Sequence, residues 1–309
     1  MLKKNLLNLF LLIVVAALAY LVIHTEPENN LLERLTNINP NSINSITIQH
    51  RSHHSHLQKN NKGNTPYWQF TQPEKINANS FRISSLLKLL NAPIHAKFNK
   101  KDVDLDKIGL GKINSGKIAP GNTDSSEATT QIKFDSHLIQ FGSINPLNGL
   151  RFILYNNHVY LIEDVYSPLI RSSFTTLVAL ELLPKDSELQ KLVLLKQTLE
   201  KDDAGQWKSS TPLTADTIIK TVQTWQHHQA FAVHDYLKRP ALGEVSIFLE
   251  NTKTPIIYKI TDTDPWLILA RPELNIEYHL DLDVYNALLS PLDPLAPDPH
   301  DSGDKNSKN

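Results

Sequence analysis

Apolar and polar positions divide the chain into three regimes. The first is residues 6–23, LLNLFLLIVVAALAYLVI, an apolar run whose strongly polar member is Asn8. At helical rise such a run spans about 27 Å, close to the hydrocarbon thickness of a bilayer. Lys3 and Lys4 precede it, and no Lys or Arg follows before Arg34. That asymmetry predicts a cytoplasmic N-terminus and an extracytoplasmic remainder. Residues 1–24 therefore read as a cytoplasmic stub and transmembrane anchor, and residues 25–40 as a linker. Ala17-Leu18-Ala19 also fits the small-x-small pattern of a cleaved signal. The run continues through Ile23, whereas polar sequence usually follows a cleavage site, so the pattern favours a retained helix.

The second regime, residues 41–290, alternates short strand-like and helical patterns, and it does so twice. In the first copy (41–180), Ile43, Ile46 and Ile48 open a strand. Tyr67-Trp68-Gln69-Phe70 form a second strand, ended by Pro73. A helix follows, capped by Asn79 or Ser80, with Phe81, Ile83, Leu86, Leu87 and Leu90 along one face. In the second copy (181–290), Leu189, Leu192, Leu194 and Leu195 take the place of the isoleucines. Trp207 and Pro212 repeat the Trp68–Pro73 spacing, and a helix from Thr214 carries Ile218, Ile219, Val222 and Trp225. Alternating segments then run in parallel order. Thr130–Phe134 answers Glu244–Leu249, and Leu138–Gly142 answers Ile256–Ile260. Arg151–Leu154 answers Trp266–Leu269, and each copy ends on Asp-Val-Tyr-x-x-Leu, at Asp164 and at Asp283. The predicted fold class is α+β: an N-terminal transmembrane helix, then two tandem repeats of an antiparallel sheet with one packed helix. Residues 111–128, rich in Gly, Ser, Asn and Asp, read as a mobile loop inserted in the first copy. The third regime, residues 291–309, has no apolar period and reads as a disordered tail.

Composition narrows the function classes. Formal net charge is -1, from 31 basic and 32 acidic residues, so no basic surface for nucleic acid is indicated. Cysteine is absent, which removes disulfides, thiolate chemistry and a lipoprotein signal. No phosphate loop, dinucleotide fingerprint or Gly-x-Ser-x-Gly elbow occurs, so no cofactor is indicated.

Three groups of residues are candidates for chemistry. His50, His53, His54 and His56 form the run HRSHHSH, dense enough in imidazole to suggest a metal site. Placed on a strand, His50, His54 and His56 are expected to share a face. The competing reading is a solvated loop, because the run lacks a carboxylate and the helical His-x-x-x-His spacing. Asp164 and Asp283 are equivalent in the two copies and suggest either a carboxylate pair or caps of short terminal helices. Trp68 and Trp207 read as core aromatics.

The isoleucine strand, the Trp strand followed by Pro, the helix, the run DVDLDKIGL (Asp102–Leu110) and the later meander resemble the DUF4340 family over roughly residues 40–290. Asp104-Leu105-Asp106-Lys107-Ile108-Gly109-Leu110 fills the place of a family phrase close to D-L-x-x-Y-G-L. Ile108 replaces the usual aromatic, and the expected Pro after Leu110 is displaced by the inserted loop. Asp235–Leu242 holds a degenerate second version. The resemblance implies a membrane-tethered bacterial envelope protein, accessory in some members to ABC-transport components, and it supplies no catalytic residues. The expected function is thus a non-enzymatic binding or scaffold protein, single-pass in a bacterial inner membrane with its C-terminal region periplasmic and an envelope protein as partner. The alternative is a metal-binding protein or metal-dependent enzyme using His50–His56.

Overall fold

The computed structural model describes residues 14–16, 20, 32–51, 53–61, 66–111, 130–250 and 252–291. Most of the predicted anchor, the Ala17–Ala19 motif, nearly all of the inserted loop and nearly all of the tail lie outside these residues. Among the described residues no helix is long and apolar enough to cross a membrane.

The duplication is carried by two eight-stranded sheets of identical topology. The first contains β1 (Ser45–His50), β2 (His53–Asn60), β3 (Tyr67–Gln72), β4 (Ala96–Asn99), β5 (Thr130–Phe134), β6 (His137–Ile144), β7 (Arg151–Tyr155) and β8 (His158–Ile162). Their spatial order is β3-β2-β1-β5-β6-β7-β8-β4. The second contains β9 (Leu189–Val193), β10 (Thr198–Lys201), β11 (Trp207–Ser209), β12 (Ala232–Asp235), β13 (Gly243–Leu249), β14 (Ile256–Asp262), β15 (Leu267–Arg271) and β16 (Ile276–Leu280). Its order, β11-β10-β9-β13-β14-β15-β16-β12, is the first order shifted by eight. Neighbouring strands are antiparallel throughout.

In each copy the third and fourth strands in sequence occupy opposite edges. The chain between them must cross the whole sheet, and it does so with the main helix, α1 (Ser80–Leu87) in the first copy and α3 (Ala215–His227) in the second. Asn79 caps α1 by accepting from the Arg82 amide at 3.0 Å, and Thr214 caps α3 by accepting from the Thr217 amide at 3.3 Å. Ile83, Leu86 and Leu87 of α1, and Ile218, Val222 and Trp225 of α3, are buried. Two expected face residues point outward: Phe81 is 77% exposed and Ile219 is 48% exposed. Phe81 stands two residues before Ile83, about 200° round the helix and so on the face turned away from the buried stripe, whereas Ile219 lies at the edge of its stripe. Short helices α2 (Ser167–Arg171) and α4 (Tyr285–Leu289) follow the last strand of each copy. The α4 turn supports α3, since Trp225 donates from Nε1 to the Leu288 carbonyl at 2.9 Å.

The segment between the copies is built into both. The Asn79 amide donates to Leu177 O at 2.8 Å, and Ala179 donates to Asn77 O at 2.9 Å. One residue later the partner changes: Ala230 donates to Leu180 O at 2.9 Å, and Tyr258 donates its hydroxyl to Leu182 O. The first copy uses the same device on its leading segment, where Leu35 donates to Ala92 O at 2.9 Å. One apolar cluster runs through both copies.

The structure also corrects the strand count. Residues 53–60, read as a loop, form β2, which pairs with β1 in the register His50↔His53 and Ile46↔Leu57. β10 was hidden in the sequence because Thr198–Lys201 carries a single core residue, Leu199. The helix correction is directly testable. Phe81→Ser is expected to change stability by no more than about 0.5 kcal/mol, whereas Ile83→Ala is expected to cost about 2–5 kcal/mol. Urea unfolding of the two variants checks this, and a large loss for Phe81→Ser would contradict the outward placement.

Candidate functional site

The hairpin end of the first sheet carries a cavity of about 290 Å³, lined by Gly109, Thr130, Phe141, Gly142, Ser143, Ile144, Arg151 and Arg171. Its wall is made by the turn that carries the Asp104–Leu110 motif. Gly109 takes φ +72°, and Ser143 donates its amide to Ile108 O at 2.8 Å. The turn lies so close to β6 that a Cβ on Gly142 would stand 2.3 Å from Ile108 O. Leu110 packs on Leu154 and Val159, with Val103, Leu105, Ile108 and Phe152 around them. The motif is therefore a cover for the outer face of β7 and β8.

Arg151 is 5% exposed. Its guanidinium donates from Nη1 to the Gly142 carbonyl and from Nη2 to Asp164 Oδ2 at 2.6 Å. Its Nε is buried with no protein partner, as are Asp164 Oδ1 and Ser167 Oγ. In the second copy Arg239 Nε and Thr261 Oγ1 are buried and unpaired as well, so the state recurs at the ion-paired arginine of each copy. Arg171, at the end of α2, supplies a second guanidinium with no ion-pair partner among the described residues. Thr130 joins the wall to β1, its hydroxyl lying 2.7 Å from His50 Nδ1. Burial is the largest cause holding the His50 pKa below 6.5, and the charges of Arg171 and Arg51 act in the same direction.

The histidine run is not gathered into one site. Pairing of β1 with β2 sets His50 opposite His53, while His54 stands opposite Gln49 and His56 opposite Thr47. Cross-strand partners share a face, so His50 and His53 lie on one side of the sheet and His54 and His56 on the other. His50 thus does not share a face with His54 and His56, because the pairing starts one residue away from the register that the expectation required. His56 instead reaches Thr47 Oγ1, at 3.3 Å. Among the described residues no group of three or more His, Asp or Glu side chains could hold a metal ion.

Asp164 and Asp283 do not converge, and neither caps a helix: α2 and α4 have no side-chain cap. Asp164 is committed to Arg151, and Asp283 is exposed. The reason lies in the register. Arg151 pairs with Ile162 at the start of β7, and Leu267 pairs with Leu280 at the start of β15. Arg151 therefore answers Leu267 and not Trp266, and Asp283 has no guanidinium to meet. Trp68 is a core residue, 7% exposed, and Trp207 packs partly buried against the same core.

The second copy places charge elsewhere. Glu277, fully buried, accepts from Arg239 Nη2 at 2.7 Å, His279 Nε2 at 3.0 Å and the Leu237 amide at 3.1 Å. Arg239 also meets Asp262 at 2.7 Å. This network pins residues 236–242 over the outer face of β16. In the first copy the same cover is apolar, and Val159 stands where Glu277 stands.

No protein family, curated protein or solved structure matches this chain.

Sequence reasoning did not single out Arg171, Thr130 or Gly142. The available signal was a register comparison of the copies, in which charge in one meets apolar or small residues in the other. Two predictions follow from the geometry. Glu277→Ala is expected to cost up to about 3 kcal/mol, the low end for breaking a buried ion pair because Arg239 keeps 28% of its side chain exposed. A urea titration showing no loss would remove the clamp role. Second, His50, His56 and His279 are all held below 6.5, with burial the largest cause in each. The unfolded chain then binds protons more readily below about 6.5, so stability should fall as pH drops through that value and level off below the folded-state values. Denaturant midpoints at about pH 7.5 and about pH 5.5 check the sign, and His50→Gln should flatten the slope.

Proposed function

We propose that this chain is a non-enzymatic binding or scaffold protein of the bacterial envelope. Residues 6–23 hold it in the inner membrane, and its two sheets stand on the periplasmic side, presenting the cavity beside Arg151 to a small ligand. The observation that carries the binding role is the divergence of the copies. By register and by the Asp-Val-Tyr alignment, Arg151, Thr130, Gly142 and Arg171 answer Leu267, Gly243, Thr261 and Ser290. The second sheet has the same topology without any of these groups, so the fold does not require them. Arg151 lines the cavity where the second copy has Leu267, and that difference supports reading the cavity as a binding site.

The resemblance of Asp104–Leu110 to the DUF4340 family supports the envelope placement and an accessory role beside a transport complex.

Fractionation tests the placement. The full chain is expected in the membrane fraction after high-salt and alkaline washes, with its C-terminal region open to protease only in spheroplasts. Recovery in the soluble fraction would overturn the anchor. Affinity capture from detergent-solubilised membranes is expected to return an envelope protein, and repeated absence of a specific partner would count against the scaffold role.

A further inference from the structure

We infer that His234 and His279, side by side on the outer face of the second sheet, form a two-histidine site for a divalent copper ion. The site lies on β12 and β16 and is separate from the cavity of the first copy.

Strand register brings the imidazoles together. β12 pairs with β16 so that Ala232 faces His279 and His234 faces Glu277. Cross-strand partners and residues two apart share a face, so His234, Glu277 and His279 stand on the same side. The His234 and His279 ring centroids are 4.6 Å apart, with the ring planes at 66°. With a metal about 2.1 Å from each nitrogen and a ring centroid about 1.2 Å behind it, two imidazoles at a right angle about the ion have centroids about 4.7 Å apart. Right-angle nitrogen ligands suit the tetragonal geometry of copper(II), and copper is the divalent first-row metal that such ligands hold most tightly.

The carboxylate behind His279 fixes which nitrogen is on offer. His279 Nε2 lies 3.0 Å from Glu277 Oε1, and Glu277 accepts from Arg239 and the Leu237 amide as well. Nε2 is therefore the donor, and the lone pair is on Nδ1. Nδ1 has no hydrogen-bond partner among the described residues and is not one of the sealed, unpaired atoms, so it reaches solvent. A carboxylate on the far nitrogen is the usual companion of a metal-binding histidine. Burial, the largest cause, holds the His279 pKa below 6.5, so the ring is neutral at about pH 7, as a ligand must be. Arg239, whose charge acts on His279, is held by both Glu277 and Asp262 at 2.7 Å. His234 is exposed and makes no hydrogen bond among the described residues, so its ring is free to turn toward Nδ1. No third side chain joins the pair, and water completes the coordination.

The first copy is apolar at all three positions. Phe98 faces Val159 where His234 faces Glu277, and Leu161 stands where His279 stands. The clamp on residues 236–242 accounts for Glu277 and His279. It does not account for His234, which makes no hydrogen bond to any of its members.

The test is a copper(II) titration of the full chain in detergent micelles, read by electron paramagnetic resonance with free imidazole in excess as competitor. One equivalent is expected to bind with an axial spectrum split by two nitrogens. His234→Gln, at an exposed position, should weaken that equivalent at least about tenfold with far-ultraviolet circular dichroism unchanged, and His279→Gln should do the same. The double variants His54→Gln with His56→Gln, and His227→Gln with His228→Gln, alter other closely spaced histidines and should leave it intact. Half-exposed Trp266 is linked to the site through Phe231, with ring spacings of 5.5 Å and 6.2 Å. Copper should therefore quench tryptophan emission, and Trp266→Phe should remove most of the quenching. Retention of the tightest equivalent in His234→Gln, or its loss in either double variant, would overturn the assignment. So would copper that stays with the free imidazole.

Discussion

Each copy of this protein depends on one long-range constraint, the passage of the chain from one edge of a sheet to the other. β3 and β4 stand at opposite edges with six strands between them, as do β11 and β12. The connection cannot stay in the sheet plane, so it lies across one face. An amphipathic helix is the connection that satisfies its own backbone while burying a stripe against that face. Ile83, Leu86 and Leu87, or Ile218, Val222 and Trp225, thereby meet the inward residues of the strands. The opposite face is left open by the helix and must be closed by something else. That role falls to the turn after the fourth strand, Asp104–Leu110 in the first copy and residues 236–242 in the second.

Closing the outer face is where the copies part. In the first, Leu110 meets Leu154 and Val159, and the turn is held by apolar contact and by its approach to Gly142. In the second, Glu277 gathers Arg239, His279 and the Leu237 amide. A buried ion pair is seldom more stabilising than apolar packing of the same shape, so the two solutions can serve one fold with little net difference. The converse holds at the hairpin end. There the first copy buries Arg151 against Asp164, and the second has Leu267 and a solvent-facing Asp283. Each copy thus supplies the uncharged reference for the other.

Legibility followed the range of the interaction. Helix starts were readable because a cap is a contact across three residues, as at Asn79 and Thr214. Strands with regular alternation, such as Ile46 and Ile48, were readable for the same reason. β2 was obscured because histidines and serine occupy it, and a polar strand resembles a loop when only its own residues are considered. Phe81 was grouped with the stripe by its apolar chemistry, but a two-residue step from Ile83 turns it to the opposite face of the helix. The histidine run failed as a single cluster for a register reason: whether imidazoles converge depends on which residue of β1 faces which residue of β2.

The sequence by itself determined the α+β class, the duplication, the two main helices and most of the strands, because these rest on local periodicity and on a repeated order of short signals. The apolar run at residues 6–23 belongs with them as a sequence property. Tertiary structure decided the rest. The eight-strand order, the edge-to-edge passage of the helices and the shared core depend on contacts between distant residues. So does the cavity. Arg151, Thr130 and Arg171 come from three separate elements, and their meeting, with one guanidinium nitrogen left unpaired, is a consequence of strand register that no local pattern encodes.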